Sequence, residues 1–472
     1  MTYLYSCLTG LLLCLVLTSH AQIGIGGQPH SSAALDLKSP TNDKAFYPPR
    51  LTTTQRLAIV NPQTGALVFD LDKGTLYLHD GQNWVPLATT SNTNLAPIDR
   101  LANDGARGDL FGFSVAIEGD YAIIGAAYDD VTHVNQGSAY VFIRSGNNWV
   151  QQAKLTASDG ASNDLFGVSV AISGNYVIVG ARTDDIDANT DQGAAYVFVR
   201  SGTTWTQQAK LTASDGASND QFGTSVAISG DYVTIGAHLD DIGPNTDQGS
   251  AYIFVRSGTS WTQQTKLTAS DGTSNDYFGS CVSIMGDYSI IGAPLSEIGT
   301  SEYQGGAYIF TRSGTAWSLQ TKLIANDGAG NDNFGIQVAI TGDYCVVGAM
   351  GNDVNSKRDQ GAAYIFIRSG SNWTQQAKLT AIDGIADDLF GSSVSIDGDY
   401  ALIGAYGINA YQGAAYIFVR SGTTWRQLRR VNDNSPTNTF NGISVSISNG
   451  TFIIGGYGFQ GGQGKVGFGT VD

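Results

Sequence analysis

A Phe-Gly pair returns at Phe111, Phe166, Phe222, Phe278, Phe334 and Phe390, in steps of 55 or 56 residues. A seventh, altered copy reads Phe440-Asn441-Gly442, and tryptophan keeps the same beat at Trp149, Trp205, Trp261, Trp317, Trp373 and Trp425. A period of this length, held in register, restricts the chain to architectures in which each unit buries its faces against its neighbours. Each unit holds four strand-like segments; in the second they read FGVSVAI, YVIVGA, AAYVFVR and WTQQAKLTA. These are rich in β-branched and aromatic residues, and Ser173-Gly174-Asn175 and Ser201-Gly202-Thr203 supply short reversals suited to hairpins. The first two segments are apolar on both faces, as a sheet enclosed by neighbouring sheets requires. The expected fold is therefore all-β, a seven-bladed β-propeller of four-stranded blades.

The two ends of the repeat region complement each other. The seventh unit offers GISVSIS, TFIIGG and KVGFGTV but no tryptophan-bearing fourth segment. Ahead of the first Phe-Gly stands an orphan, Ile98-Asp99-Arg100-Leu101, followed by Ala-Asn-Asp-Gly, which matches the end of the other fourth segments. An N-terminal strand that completes the last blade would join the ends and remove two exposed sheet edges. The propeller is thus expected over residues 96–472. Residues 22–95 do not repeat and hold six of the ten prolines. They are expected to form a small, mostly β module and linker, with one short helix from Thr52 to Val60 and a β-meander over residues 65–88.

Residues 1–21 have the pattern of a secretory signal peptide: an apolar core at residues 11–17, then Ser19-His20-Ala21 before Gln22. No Lys or Arg precedes that core. Export to the extracellular space or cell surface is expected, with the periplasm as an alternative, and no later segment is apolar enough for membrane insertion. Cys281 and Cys345 remain after cleavage, at different repeat positions; they read as buried small hydrophobes, or alternatively as a disulfide. The net charge of −16 disfavours nucleic acid, whose binding rests on Lys and Arg neutralising phosphates.

The recurring FG…VAI, GDY..IGA, QGAAY.F and W.QQ.KLTASDG blocks resemble FG-GAP repeats, the unit of the integrin α-chain propeller, and are most similar to the bacterial secreted and surface variety. The resemblance implies a propeller and a role in adhesion or ligand binding. In the integrin pattern calcium sits in an Asp-rich loop between the first two strands; here that connection is a tight turn, so those ligands do not carry over. Residues 22–95 resemble an N-terminal module of exported proteins from Bacteroidetes-type bacteria, some of them fibre-like, which implies oligomerisation or presentation of the propeller.

Alternating strand direction sorts the loops. The short 1–2 and 3–4 turns fall at one end and carry a repeated arginine, Arg144 to Arg420; the long 2–3 and 4–1 loops fall at the other and carry the acids. The long-loop face is expected to be markedly anionic and the short-turn face mildly cationic. In the second unit the 2–3 loop places Asp185, Asp187, Asn189 and Asp191 at alternate positions, and the third offers Asp241, Asn245 and Asp247. Alternating oxygen ligands suit calcium, and the same residues suit solvated Asx turns. The Asp-Gly-x-x-Asn-Asp run of the 4–1 loops reads as a structural turn. Arg107-Gly108-Asp109 occupies that same repeat position and reads as coincidence.

His30, His79, His133 and His238 neither recur nor take a metal-ligand spacing, and no nucleophile–base pair is visible. The expectation is a non-enzymatic exported propeller that engages a glycan or an extracellular protein through its acidic long-loop face. The alternatives are a structural component of a fibre-like surface assembly and a calcium-stabilised extracellular hydrolase or lyase.

Overall fold

The computed structural model describes residues 23–25, 35–37, 48–72, 75–86, 97–431 and 438–471. The expected signal peptide lies outside the described residues. The chain divides into two units, residues 1–91 and 92–472.

In the first unit, Arg50–Leu51, Leu67–Asp70, Thr75–His79 and Trp84–Pro86 form a four-stranded sheet. The helix spans Thr53–Leu57, shorter than expected from the sequence. Thr52 caps it: its side chain accepts from the Gln55 N–H while the Gln55 side chain accepts from the Thr52 N–H. The chain then turns left-handed at Asn61, ahead of Pro62, where a helix cannot continue. Arg56 is buried; its Nε donates to Asp70 Oδ2 at 2.8 Å and its guanidinium lies 3.8 Å from the Tyr77 ring centroid. Leu57, Val60 and Leu71 remain exposed.

The second unit is a series of seven four-stranded antiparallel sheets. Sheets one to six span residues 114–155, 169–211, 225–267, 281–323, 334–379 and 390–431. In sheet two the strands are Ser169–Ser173, Tyr176–Ala181, Ala194–Ser201 and Thr204–Leu211, joined in sequence order. Two-residue turns link Ser173 to Tyr176 and Ser201 to Thr204. The seventh sheet holds Ser444–Ser448, Thr451–Gly456 and Lys465–Thr470, and its fourth strand is Ile98–Arg100. That strand pairs antiparallel with Arg100 opposite Val466 and Ile98 opposite Phe468.

The second strand and the first half of the third are buried throughout, as enclosure demands. The first strand departs from expectation. It is an edge strand whose burial alternates, with Ser169, Ala171 and Ser173 half-buried. Its small hydroxyl residues serve first-strand-to-first-strand contacts. The Gly230 N–H donates to Ser173 Oγ, that of Ile340 to Ser283 Oγ, and that of Ile117 to Ser446 Oγ. The last of these joins sheet seven to sheet one.

Three repeated devices hold sheet against sheet. The Phe of each Phe-Gly is fully buried and packs edge-on to the third-strand Tyr, as Phe222 does on Tyr252 at 5.4 Å. The glycine after it sits where a side chain has no room: a Cβ on Gly223 would lie 2.3 Å from Ala194 O of the preceding sheet. The paired glutamines latch in two directions. Gln152 Oε1 accepts from Trp205 Nε1 of the following sheet, and Gln207 Oε1 accepts from the Ser158 N–H of the preceding loop.

Register corrects one sequence reading. Asn441, not Phe440, stands where the buried Phe stands in the other sheets: Gly413 bridges to Asn441 as Gly361 bridges to Phe390. Phe440 takes the preceding position, which is left-handed at Leu110, Leu165, Gln221, Tyr277, Asn333 and Leu389 as well. Cys281 and Cys345 are both free and buried, so the disulfide alternative is set aside. Burial pushes the Cys281 thiol up to about 11, which leaves it unreactive at neutral pH.

Candidate functional site

The long loops gather the titratable groups. In sheet two Lys210, on the fourth strand, reaches Asp159 Oδ2 at 2.7 Å and Asp184 Oδ2 at 2.9 Å. Tyr196 donates to both carboxylates, at 2.9 Å to Asp159 and 2.5 Å to Asp184. Asp159 comes from the 4–1 loop behind sheet one, so the cluster ties two sheets together. Burial raises the Asp159 carboxyl, but the bonds from Lys210 and Tyr196 outweigh it and hold the group below the usual carboxylate range. Asp184 is more enclosed, and there burial prevails and pushes the carboxyl up. Burial lowers Lys210, yet its two carboxylate partners raise it overall, so it stays charged.

The same cluster forms from Asp104, Lys154, Asp129 and Tyr140 and from Asp215, Lys266, Asp240 and Tyr252. Further along, the buried acid is replaced by Ser296, Asn352 and Ile408 in turn. The buried partner was not legible in the sequence, because Asp184 stands beside Asp185 and only packing tells them apart. In each of these clusters one ammonium bridges two carboxylates.

The last acid of each 4–1 loop closes a turn, as expected. Asp164 Oδ2 accepts from the Ala161 N–H at 2.6 Å and Asp220 Oδ2 from the Ala217 N–H at 2.6 Å. Asp109 does the same with Ala106 and is only 6% exposed, so the Arg-Gly-Asp tripeptide offers no free carboxylate. Burial raises Asp164 and Asp220 to about 6. A carboxyl raised on folding binds its proton more readily in the folded state. Its contribution is full below the unfolded value of 3.8 and is lost as pH rises through about 6. Stability should therefore grow by about 1 kcal/mol per group between pH 7 and pH 5, read as a shift in urea midpoint. Asp164→Asn keeps the acceptor oxygen and should remove its share of that slope; an unchanged slope contradicts the assignment.

The alternating 2–3 loop residues come together as a turn. Asp185 Oδ1 accepts from the Asp191 N–H at 2.8 Å, and Asp241 Oδ1 from the Asp247 N–H at 2.8 Å. Ile186 and Asn189 exchange backbone bonds, as do Ile242 and Asn245. Asp187 sits left-handed at the tip, where the next loop uses Gly243. Asn189 Nδ2 donates to Gln192 Oε1 and Gly216 O, and Asn245 Nδ2 likewise to Gln248 Oε1 and Gly272 O. Asp191 and Asp247 are left-handed in turn. Every member of the Asp-x-Asp-x-Asn-x-Asp pattern thus has a backbone reason. Among the described residues no three His, Cys, Asp or Glu groups converge as a metal would need.

The short-turn end is not cationic as expected. Arg256 pairs with Asp231, Arg312 with Asp287, Arg368 with Asp343 and Arg420 with Asp399. Each guanidinium also lies over a tyrosine of the preceding sheet, as Arg312 does over Tyr232 at 4.2 Å. The sequence placed the arginines correctly but not the aspartates that face them.

One feature of the long-loop end breaks the repeat. Tyr406, Tyr411, Phe440, Tyr457 and Phe113 form a run of rings across sheets six, seven and one. The individual aromatics are plain in the sequence; their convergence depends on the joining of sheets seven and one.

Repeated four-stranded sheets with buried Phe-Gly and Tyr contacts define a β-propeller of the adhesion or surface class. Residues 101–142, 149–198, 205–254, 261–310, 317–366 and 373–418 match the FG-GAP repeat family, and the chain belongs to it. Residues 22–97 match the family described as phage tail like trimerisation region. No curated protein matches the chain. Among solved structures, Sqt1 of Saccharomyces cerevisiae is similar at 9% identity and a TM-score of 0.43, over 77% of this chain and 83% of that one, a likeness too weak to carry an argument. Among the described residues no helix is long and apolar enough to cross a membrane.

Proposed function

We propose that this protein is an exported, surface-displayed binding propeller of seven blades, closed by Ile98–Arg100 and presented as a trimer by residues 22–97. The carrying observation is the FG-GAP repeat array itself. Closure is supported by the pairing of Ile98–Arg100 in sheet seven, by Lys154 reaching Asp104, and by Ser444 Oγ donating to Gly112 O. Trimerisation is supported by the family match of residues 22–97 and by exposed Leu57, Val60 and Leu71. The long-loop end is the binding end in this reading, because its loops vary between sheets while the short turns repeat. The non-enzymatic reading draws on the acids being held in lysine, tyrosine and backbone contacts. Labelling intact cells with a membrane-impermeant amine reagent should mark this protein; labelling that appears only after lysis would overturn surface display.

A structural role in a fibre-like assembly is the second reading, favoured by the trimerisation match alone. It predicts self-association beyond three chains, which light scattering on the mature chain resolves.

A further inference from the structure

We infer that the aromatic run at the junction of sheets six and seven is a platform for a neutral saccharide. The inference rests on the reading that the long-loop end is the binding end.

The rings form a stacked row. Phe440 lies between Tyr411, at 5.2 Å and 30°, and Tyr457, at 4.9 Å and 12°. Tyr406 is 6.3 Å from both Tyr411 and Phe440, and Phe113 is 5.7 Å from Tyr457. The Phe of Phe-Gly and the third-strand Tyr are fully buried, while Tyr303, at the Tyr411 position of sheet four, is 43% exposed. Here Tyr411 is 45% exposed and the other four are half-buried.

Two departures from the repeat place these rings outside. The position before the loop glutamine is left-handed in every sheet; five sheets fill it with Asn135, Asp191, Asp247, Asp359 or Gly462, which tolerate that backbone, and sheet four, like sheet six, fills it with a tyrosine, Tyr303 at φ 55°. Sheet six puts Tyr411 there, at φ 63°, after Ala410 at φ 54°. A bulky residue at such an angle costs about 1–2 kcal/mol, and sheet seven avoids the cost with Gly461-Gly462. In the second departure, the buried Phe of the seventh Phe-Gly is Asn441 and the ring is moved one residue outward to Phe440. Both changes sacrifice local fit to expose an aromatic ring.

The surroundings select the ligand chemistry. The corresponding loops of sheets one, two, three and five carry Asp130, Asp185, Asp241 and Asp353; residues 407–413 and 458–464 carry no carboxylate. The exposed polar groups beside the rings are the amides of Asn409, Asn438 and Gln460, which both donate and accept as paired hydroxyls need. Tyr411 is the exposed ring of the row, and the electron-rich face of an aromatic ring receives the C–H face of a pyranose. The net charge of −16 disfavours a polyanion. A neutral polyol with an apolar face fits all three conditions.

The test is affinity electrophoresis of the mature chain through native gels containing soluble glucan, mannan or xylan, with alginate as the anionic comparison. Tyr411→Asn and Phe440→Leu introduce residues that this chain itself uses at the same positions, Asn135 and Leu110, so the fold is preserved. Unfolding midpoints check that. The expected result is retardation by a neutral polymer and at least a tenfold loss of apparent affinity in each variant. Retardation by alginate alone, by no polymer, or equally in wild type and variants overturns the platform. Arg256→Ala, at the short-turn end, separates the two levels: retention lost there and kept in Tyr411→Asn overturns the long-loop end as the binding end as well. A protein captured from the surroundings through Tyr411, with no polymer retained, overturns the saccharide and leaves the binding end standing.

Discussion

Lys210→Met is expected to destabilise the fold by about 3 kcal/mol, while Lys322→Met, the same change two sheets away, is expected to cost about 1 kcal/mol or less. The two lysines occupy equivalent positions, and only the acids around them differ. Lys210 bridges Asp159 and the buried Asp184, whose side chain is 6% exposed. Removing the ammonium leaves Asp184 with the Tyr196 hydroxyl and with its charge enclosed. Lys322 meets only Asp271, which is 53% exposed and can turn to water, because Ser296 stands where Asp184 would be. Urea unfolding at pH 7 measures both. Adding Asp184→Asn to Lys210→Met removes the stranded charge and should recover most of the loss, so the double variant separates charge from packing. Burial also makes the loss in Lys210→Met larger at high pH and smaller as pH falls through the raised value of Asp184. Equal costs for the two lysines would show that the buried acid is not held by charge.

The second large effect concerns valence. Light scattering on residues 22–472 should give the mass of three chains, and Leu57→Asp with Val60→Asp should give one. Both residues are exposed, at 65% and 83%, on a region whose family match is to a trimerisation region, and an introduced carboxylate would be buried unpaired at a contact between copies. Three propellers on one stalk bind a repetitive surface with a multivalent gain of about 10² to 10⁴ over a single head. On a sensor densely coated with a polysaccharide that retains the mature chain, the double variant should dissociate faster by about that factor. Its affinity for a soluble short oligosaccharide should be unchanged. A trimer that persists in the double variant places the contact elsewhere; a monomeric wild type removes the stalk from the proposal altogether.

The division between what was legible and what was not follows particular residues. The strands, the two-residue turns and the match between Ile98-Asp99-Arg100 and the other fourth segments were readable from period and alternation, because these are local consequences of side-chain spacing. The seventh copy misled, because the eye pairs Phe440 with the other phenylalanines while the backbone register pairs Asn441 with them. The Asp-x-Asp-x-Asn-x-Asp run suggested a cage because ligand spacing and turn chemistry favour the same residues; only the bonds of Asp185 and Asn189 tell them apart. The arginine face was misjudged because a charge in a sequence has no visible partner.

The sequence by itself determined the repeat, the all-β class, the strand order within each unit and the end at which each loop emerges. All of these follow from periodicity and from the alternation of strand direction. Only the tertiary structure decided which aspartates are buried against Lys154, Lys210 and Lys266, which arginines are neutralised, and which aromatics meet. Those contacts join residues on different strands and loops, 25 positions apart for Arg256 and Asp231 and 79 for Arg200 and Tyr121, so strand pairing and sheet packing decide them. The rings of Tyr411, Phe440, Tyr457 and Phe113 are scattered over three repeats: the first three meet where sheet six adjoins sheet seven, and Phe113 reaches Tyr457 from sheet one.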